Sequence, residues 1–499
     1  MRRSSGILLH IATLPGDYGI GSLGKQAYFF ADFLHKAGQS YWQILPLVPT
    51  GYGNSPYQSC CSYAGNEFLI DLDLLTEQGL LCEEDLRKAK SAPNSRIDYE
   101  SLFQNRISLL KVAFSRLDKN NNEFLDFLKR GEYNDYSLFR AIKEQLGYIE
   151  LSKWPDEYKH MDADAIKRFE NSHKNDILFY QWTQFEFSRQ WNALKSYVNS
   201  LGVKIIGDIP IYVSRDSVEC WTQPELFKLD ENLFPKTVAG CPPDYFSETG
   251  QLWGNPIYEW DKMKEDGYKW WENRMRRALK LYDVIRIDHF RGFDRFYEIP
   301  ASSPDARTGH WSIGPGASLF EILRSRISDA EIIAEDLGDL DDSCKRMFKE
   351  VGYPGMKVLS FAFDSDEHNA YLPSNFKNDN SVCYTGTHDN DTLMSLIEHL
   401  GARREEFKRK VSIELAKNDL SLNLETNSQI ADAIIELTLS SKSKVAILPL
   451  QDWTKTGSEG RINTPSTLSL ENWSYRIDRA QLSEELAGYI LNKVKKYNR

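Results

Sequence analysis

Short apolar runs separated by helical patterns are the most regular feature of this sequence. Helical periodicity is clearest at Lys25–Ala37, which Gly38 is expected to end, and it recurs at Ser318–Ile327 and Ala431–Ser441. Strands that alternate with helices predict a parallel sheet, because each helix returns the chain to the same edge of the sheet. The predicted strands are Gly6–Leu14, Tyr41–Leu47, Lys204–Val213, Val284–Phe290, Glu331–Leu337, Met356–Phe363, Ser381–Asp389 and Val445–Asp452.

Eight strands with helices between them fit a (β/α)₈ barrel, an α/β fold, and residues 1–499 are predicted to form one such domain. An open, doubly wound sheet is the alternative, but no Gly-rich phosphate loop supports it. Two intervals are too long for a single crossover. They predict a largely helical insertion at residues 65–200, between strands 2 and 3, and a loop-rich insertion at 214–280, between strands 3 and 4 at the barrel mouth.

Composition narrows the class of protein. A net charge of -11 argues against nucleic acid or an anionic membrane as the main partner. No apolar run approaches the roughly 20 residues of a spanning helix. Near the N-terminus, Gly6, His10 and Pro15 interrupt the apolar stretch, which favours a first strand over a signal peptide. Seven cysteines without a C-x-x-C pair indicate reduced thiols in the cytoplasm. The oligomeric state, monomer or small homo-oligomer, stays open.

Charged residues occur where a buried strand is expected. In "VIRIDHF" (Val284–Phe290), Arg286 and Asp288 are two residues apart, so both side chains project from the same face of the strand. A charged pair that faces inward is costly unless it is well paired or needed for function.

Acidic residues end several of the predicted strands, namely Asp208, Asp288, Glu335 and Asp389. A single acid in this place is often a helix N-cap, but several on different strands converge on one mouth of a barrel, where catalytic residues lie. Carboxylates around one pocket suit cleavage of a glycosidic bond, and binding of Mg²⁺ or Ca²⁺ is the alternative. Arg286 argues against a metal at Asp288, because the neighbouring cation already favours the ionised carboxylate.

Six longer motifs follow one another along the chain: "GNSPYQS" (Gly53–Ser59), "GDIPIYV" (Gly207–Val213), "PPDYFSETGQLWGNP" (Pro242–Pro256), "RIDHFRG" (Arg286–Gly292), "AEDLG" (Ala334–Gly338) and "YTGTHDNDT" (Tyr384–Thr392). Together they make nearly the whole chain resemble the 4-alpha-glucanotransferases of the amylomaltase, or disproportionating-enzyme, type in the α-amylase clan. Several long motifs in the right order are far more specific than any one of them.

The resemblance implies roles for individual residues. Asp288 would be the nucleophile, Glu335 the general acid/base, and Asp389 the residue that stabilises the distorted sugar. Among the expected substrate-binding residues, Tyr57 would stack on a sugar ring and Trp253 would lie on a loop over the acceptor side. The full set of expected substrate-binding residues is Tyr57, Asp208, Trp253, Arg286, Asp364, His388 and Asn463.

The implied activity is transfer of α-1,4-glucan segments to the 4-hydroxyl of an acceptor glucan or glucose by a retaining double displacement. It needs no cofactor and no catalytic metal. A retaining α-1,4-glucan hydrolase is the alternative, but "IYV" (Ile211–Val213) stands where ordinary amylases have an Asn-His pair. A non-catalytic glucan-binding protein is disfavoured because all three acids are present.

One departure from the family pattern concerns a loop near the C-terminus. In "NTPST" (Asn463–Thr467), Ser466 stands where the family usually has glycine. If that glycine has a positive φ, the serine is expected to be strained.

Overall fold

The computed structural model of the protein describes residues 1–92, 96–243, 247–327, 330–338 and 340–499. Twelve strands in these ranges form two sheets. The strands are β1 (Ser4–Leu8), β2 (Tyr41–Gln43), β3 (Lys204–Ile209), β4 (Thr237–Cys241), β5 (Gln251–Pro256), β6 (Val284–Ile287), β7 (Arg295–Pro300), β8 (His310–Ile313), β9 (Glu331–Ala334), β10 (Gly355–Val358), β11 (Ser381–Tyr384) and β12 (Val445–Pro449).

Helices fill most of the intervals between the strands. Within the described residues they are α1 (Lys25–Lys36), α2 (Leu72–Glu77), α3 (Glu83–Leu86), α4 (Tyr99–Ser115), α5 (Asn122–Lys129), α6 (Asn134–Gln145), α7 (Asp156–Lys159), α8 (Ala163–Ser172), α9 (Lys174–Ser200), α10 (Val218–Thr222), α11 (Trp260–Glu265), α12 (Lys269–Leu281), α13 (Ala317–Arg326), α14 (Asp342–Val351), α15 (Leu393–Glu398), α16 (Arg404–Lys417), α17 (Asn427–Ser440), α18 (Leu450–Trp453) and α19 (Glu484–Lys496). The three predicted helices correspond to α1, α13 and α17, and Gly38 has the positive φ of 68° expected after α1.

Eight parallel strands form the larger sheet, in the order β10-β11-β12-β1-β2-β3-β6-β9. Each lies within or overlaps one predicted strand, so the predicted (β/α)₈ barrel is confirmed and the open, doubly wound alternative is wrong. The two end strands meet where the backbone N–H of Ala334 donates to the carbonyl oxygen of Pro354 at 2.9 Å. The sheet is therefore a nearly closed barrel.

Side chains that point into the barrel form an apolar cluster of their own, separate from the larger core between strands and helices. Ile206, Val284 and Ile333 belong to this interior cluster, whereas their neighbours Ile205 and Ile285 face the helices. Successive side chains of a strand alternate between its faces. Counting forward by two from the three interior residues therefore brings polar side chains to the barrel mouth.

The long interval between β2 and β3 contains α2 to α9. The 27-residue α9 buries Trp182 and Trp191 and packs against α1, α6 and β3. These aromatic side chains are core residues of a helical region on the barrel. The boundaries at residues 65 and 200 stay a prediction.

The interval between β3 and β6 differs from the loop-rich segment expected there. It contributes β4 and β5 to an antiparallel sheet of four strands, in the order β5-β4-β7-β8. This sheet was not predicted from the sequence, because Gly240 and Gly254 interrupt the strands and no clean alternation of apolar residues marks them. The sheet adds β5 to the elements beside the barrel mouth.

Candidate active site

The ends of three adjacent barrel strands carry three of the four acids predicted from the sequence. The residue two positions after the interior side chain is Asp208 on β3, Arg286 on β6 and Glu335 after β9. Asp288 comes two residues after Arg286 and therefore faces the same way. The strands are in register, with Asp208 opposite Arg286, and the backbone N–H of Phe290 donates to the carbonyl oxygen of Glu335 at 3.1 Å. Alternation along the strands thus brings these groups together at one end of the barrel.

Arg286 lies between two carboxylates. Its Nη1 is 2.6 Å from Oδ2 of Asp208, and its Nη2 is 2.8 Å from Oδ1 of Asp288. The side chains of Arg286 and Asp208 are 4% and 1% exposed, whereas that of Asp288 is 28% exposed. The inward-facing Arg286 charge is therefore well paired, and the Asp288 carboxylate remains accessible to solvent.

Opposing effects act on the pKa of Asp288. Burial raises the pKa of this carboxyl above its ordinary value, and the positive charge of Arg286 limits that rise. On the far side of the guanidinium, the Tyr57 hydroxyl donates to Oδ2 of Asp208 at 2.6 Å. This hydrogen bond fixes Asp208, which in turn fixes the orientation of Arg286 beside Asp288.

Glu335 is held by backbone amides rather than by a cation. The backbone N–H of His289 donates to its Oε2, and that of Leu337 donates to its Oε1, both at 2.7 Å. Burial and the nearby Asp288 charge raise the pKa of Glu335 to about 7, although Arg286 and the two amides oppose the shift. A carboxyl with this pKa can give up and regain a proton near neutral pH.

His289 takes an unusual backbone conformation between the two acids. Its φ is 50°, in the left-handed region that non-glycine residues seldom occupy. This turn directly follows Asp288 and directs the His289 N–H toward Glu335. The position of the Glu335 carboxyl therefore depends on the turn that follows Asp288.

Asp389 lies on the loop after β11, beside His388 and Asn463. The Asn463 side-chain amide donates to Oδ1 of Asp389 at 2.7 Å, and Nε2 of His388 is 3.4 Å from Oδ2. The ring of His388 stacks on that of Tyr57 at 5.2 Å between centroids. With 44% of its side chain exposed, Asp389 is more open to solvent than Asp288.

Trp253 lies beside this cluster, but the expectation that it sits on a loop is wrong, because it belongs to β5. Its ring meets the ring of His289 edge-on at 4.8 Å, and its carbonyl oxygen accepts from the Gln58 side chain at 3.0 Å. Asp364 makes none of these contacts: its exposed carboxylate accepts from the Asn369 side chain at 3.0 Å. The structure joins the other nine predicted site residues through these contacts and leaves Asp364 outside them.

Further residues of the site were not predicted. Arg461 donates to the backbone carbonyl oxygen of Asp389 at 3.2 Å. The ring of Trp473 lies 5.8 Å from that of Tyr57 and 5.9 Å from that of His388. Trp473 follows the motif Asn463–Thr467 by six residues, but no sequence signal assigned a role to Trp473 or to Arg461.

A cleft of about 1080 Å³ opens next to the cluster. Gln58, Trp253, Tyr52 and Leu252 are among the residues that line it. Its volume and its mixture of aromatic and polar walls suit an extended, polar ligand with apolar faces. Of the motif at Pro242–Pro256, Asp244, Tyr245 and Phe246 lie outside the described residues.

The described residues offer neither a metal centre nor a membrane-spanning helix. In the part of the chain that the structure describes, no three His, Cys, Asp or Glu side chains are grouped so that they could hold a metal ion. Among those same residues, no helix combines the length and apolar character needed to cross a bilayer.

Comparison with known proteins decides the family. The sequence profile described as 4-alpha-glucanotransferase matches residues 9–482. This chain belongs to the 4-alpha-glucanotransferase family. The 4-alpha-glucanotransferase of Clostridium butyricum is 42% identical over 496 residues, or 98% of this chain and 100% of the relative. That of Thermus thermophilus is 41% identical over 491 residues, or 97% of this chain and 96% of the relative.

Solved structures agree with this assignment. The amylomaltase from Streptococcus agalactiae in complex with acarbose matches with a TM-score of 0.94 and 38% identity, covering 100% of both chains. The amylomaltase from Corynebacterium glutamicum is 17% identical and has a TM-score of 0.77 over 100% of this chain and 75% of its own, which shows a shared fold. The predicted resemblance to 4-alpha-glucanotransferases is confirmed, while the roles of individual residues stay predictions.

Proposed function

We propose that this protein transfers α-1,4-glucan segments, including maltooligosaccharides, to the 4-hydroxyl of an acceptor glucan or glucose. The main support is the pairing of unlike carboxyls on adjacent strands: Asp288 is ion-paired to Arg286, and Glu335 has its pKa raised to about 7. Such a pair has the two properties that a retaining glycosyl transfer requires, an ionised nucleophile and a protonated acid.

The first half-reaction breaks the donor glycosidic bond. The Asp288 carboxylate attacks C1 of a glucosyl unit while Glu335 gives its proton to the departing oxygen. The products are a covalent β-glucosyl ester on Asp288 and the released sugar. Arg286 supports this step because its bond to Asp208 keeps the guanidinium in place while the Asp288 charge is consumed.

The second half-reaction runs the same chemistry toward the acceptor. Glu335, now ionised, removes the proton from the acceptor 4-hydroxyl, and that oxygen attacks C1, which breaks the ester bond and releases the Asp288 carboxylate. Two inversions restore the α linkage. The two backbone amides on Glu335 persist through both steps, so the carboxyl keeps its position while its proton leaves and returns.

Asp389 is proposed to stabilise the distorted, positively charged sugar in both transition states. Its exposed carboxylate, oriented by Asn463 and His388, is placed to act electrostatically without forming a bond. Tyr57 lies against His388 and Asp208 and so connects the two sides of the sugar site.

Transfer rather than hydrolysis requires that a sugar acceptor compete with water. Water is present at about 55 M in bulk, so an acceptor must win through binding and orientation. Aromatic rings such as Trp253 supply a surface on which the C–H faces of a sugar can pack. We further propose a cytoplasmic location, which the free cysteines among the described residues support.

A product analysis separates transferase from hydrolase. With pure maltotriose, the transferase is expected to produce glucose and a ladder of longer maltooligosaccharides while the total concentration of reducing ends stays constant. A hydrolase would produce only glucose and maltose, and reducing ends would rise with time. The second outcome would reject the proposed function.

A further inference from the structure

Asp452 is a buried carboxylate that the proposed mechanism does not use. It lies in α18, directly after β12, and is 2% exposed. Its Oδ2 accepts from the Thr385 hydroxyl at 2.5 Å, and its Oδ1 accepts from the backbone N–H of Leu393 at 2.8 Å. Burial raises the pKa of Asp452 to about 6, although both hydrogen bonds oppose the shift.

The two partners of Asp452 lie at opposite ends of one loop. β11 ends at Tyr384, α15 begins at Leu393, and the loop 385–392 between them carries His388 and Asp389. Bonds within the loop, such as those from Thr387 to the Asn390 side chain, shape its turn. Asp452 instead joins both loop ends to the neighbouring barrel strand, and therefore sets where the turn lies on the barrel.

The residue before Asp452 acts on the other side of Asp389. The Gln451 side-chain amide donates to the carbonyl oxygen of Gly460 at 3.1 Å. The chain then continues to Asn463, whose side chain binds Asp389 and whose backbone N–H donates to the carbonyl oxygen of His388 at 3.1 Å. Gln451 and Asp452, which follow β12, therefore contact both the loop 385–392 and the segment that leads to Asn463.

Charged neighbours also surround Asp452. Lys455 favours its ionised form and Asp391 disfavours it. Lys455 is paired with Asp432 at 2.7 Å, and Asp391 lies 3.8 Å from Arg461. Asp452 is therefore part of a connected polar network behind Asp389.

We infer that Asp452 is a positioning residue for the glycosyl transfer, one that fixes the loop 385–392 so that Asp389 meets the sugar at the cleavage point. The inference rests on the proposed function. A hydrogen-bonded carboxylate behind a site holds its reacting groups in the required geometry, and displacement of such a group by about 1 Å can cost about 100-fold in rate.

The first test compares two matched variants. In Asp452→Asn, the carboxylate that accepts from a backbone N–H and a hydroxyl is lost. Glu414 makes the same pair of bonds, with the backbone N–H and hydroxyl of Ser374, and is similarly buried but lies on α16. Asp452→Asn is expected to lower kcat for maltotriose disproportionation about 10- to 100-fold with KM within about threefold, whereas Glu414→Gln leaves kcat within about twofold.

A double-mutant cycle then asks whether Asp452 acts through Asp389. Asp389→Asn is expected to lower kcat about 1000-fold, and adding Asp452→Asn to it should lower kcat less than about threefold further, because the positioned group is already gone. If the two losses multiply, or if Asp452→Asn and Glu414→Gln have equal effects on kcat, Asp452 has only a structural role and the inference is overturned.

Thr385→Val provides the same test with a smaller disturbance should Asp452→Asn fail to fold. It removes one of the two hydrogen bonds to Asp452. In the wild-type background kcat is expected to fall about three- to tenfold, whereas in the Asp389→Asn background it should not fall. An equal fall in both backgrounds overturns the inference. A wild-type protein that forms no ladder from maltotriose would refute the proposed function instead. The two failures are therefore distinguishable.

Discussion

Glu335 and Glu298 are two glutamates on or beside strands, and their surroundings move their pKa values in opposite directions. Burial alone would raise the pKa of Glu298, but bonds from Lys228, Thr237 and Ser312 lower it below its ordinary value. Burial and the neighbouring Asp288 charge raise the pKa of Glu335 to about 7, although Arg286 and the two backbone amides oppose the rise. A carboxyl withdrawn from water is suited to acid/base chemistry when the neighbouring charge that acts on it most strongly is a second acid rather than a cation.

The largest expected effect on kcat comes from replacing the carboxyl of Glu335. Glu335→Gln cannot donate or accept the catalytic proton, so kcat for maltotriose transfer is expected to fall about 10⁴-fold. Glucan binding should persist, because the glutamine keeps the size of the side chain and its one remaining oxygen can still accept from a backbone N–H. Steady-state kinetics and calorimetric titration with a maltooligosaccharide measure the two quantities. A variant that keeps more than a tenth of wild-type kcat would remove Glu335 from the mechanism.

The second-largest expected effect is a pH dependence of kcat/KM, which follows from the raised pKa of Glu335. Its folded pKa is raised from 4.5 to about 7, so the acid stays protonated through about pH 6 and loses its proton above about pH 7. We expect kcat/KM to fall about tenfold per pH unit well above the pKa, or about 50-fold between pH 7 and pH 9. The same shift contributes stability that is complete below about pH 4.5 and disappears as the pH rises through about 7.

Measurement of kcat/KM from about pH 4 to 9 tests this prediction, with thermal unfolding over the same range. Glu335→Gln is the control, since its small residual activity should show no alkaline decline near neutral pH. A wild-type profile that stays flat over the alkaline range would contradict the assignment.

Glu298→Gln tests the other side of the comparison. It leaves Lys228 half-buried without its carboxylate, and we expect a loss of about 2–3 kcal/mol in the free energy of unfolding. Because Glu298 lies in the antiparallel sheet, kcat per folded molecule should stay within about twofold of wild type. Denaturant unfolding and kinetics provide the two numbers. A fall in kcat comparable with that of Glu335→Gln would show that the charges around the two glutamates do not determine which of them acts in catalysis.

The smallest expected effect concerns backbone strain near the site. Ser466 has a φ of 62°, so it occupies the left-handed conformation in which a serine at this position was expected to be strained. Ser466→Gly should be more stable than Ser466→Ala by about 1 kcal/mol, because only glycine adopts this φ without a Cβ clash. Thermal unfolding of the two variants measures the difference, and equal stability would show that the loop has relaxed.

Much of the barrel was predictable because its buried strands are short apolar runs separated by helical patterns. Interior residues such as Val284 and Ile333 set a period of two that carries on to Arg286, Asp288 and Glu335. The predicted strands were too long, since residues such as His289 leave the sheet in conformations that apolar patterning does not report. The antiparallel sheet was missed because Gly240 and Gly254 weaken its pattern.

The contacts around the acids were less predictable than the acids themselves. Thr385 and Asp452 are 67 residues apart, and their bond depends on which strands become neighbours in the barrel. Arg461 contacts a backbone oxygen, a contact with no sequence pattern of its own. Trp253 was expected on a loop because the family resemblance implied one, and the pairing of its segment with β4 makes that segment a strand.

The central claim, that Asp288 and Glu335 act as nucleophile and acid/base, is tested most directly by trapping the covalent intermediate. In Glu335→Gln, an α-glucosyl fluoride needs no proton for its leaving group, so the ester should form and then persist without a base to assist its transfer. Mass spectrometry of the digested protein is expected to find one glucosyl group on the peptide that contains Asp288. A glucosyl group on another carboxylate, or an unmodified Asp288 peptide after substrate consumption, would contradict the account.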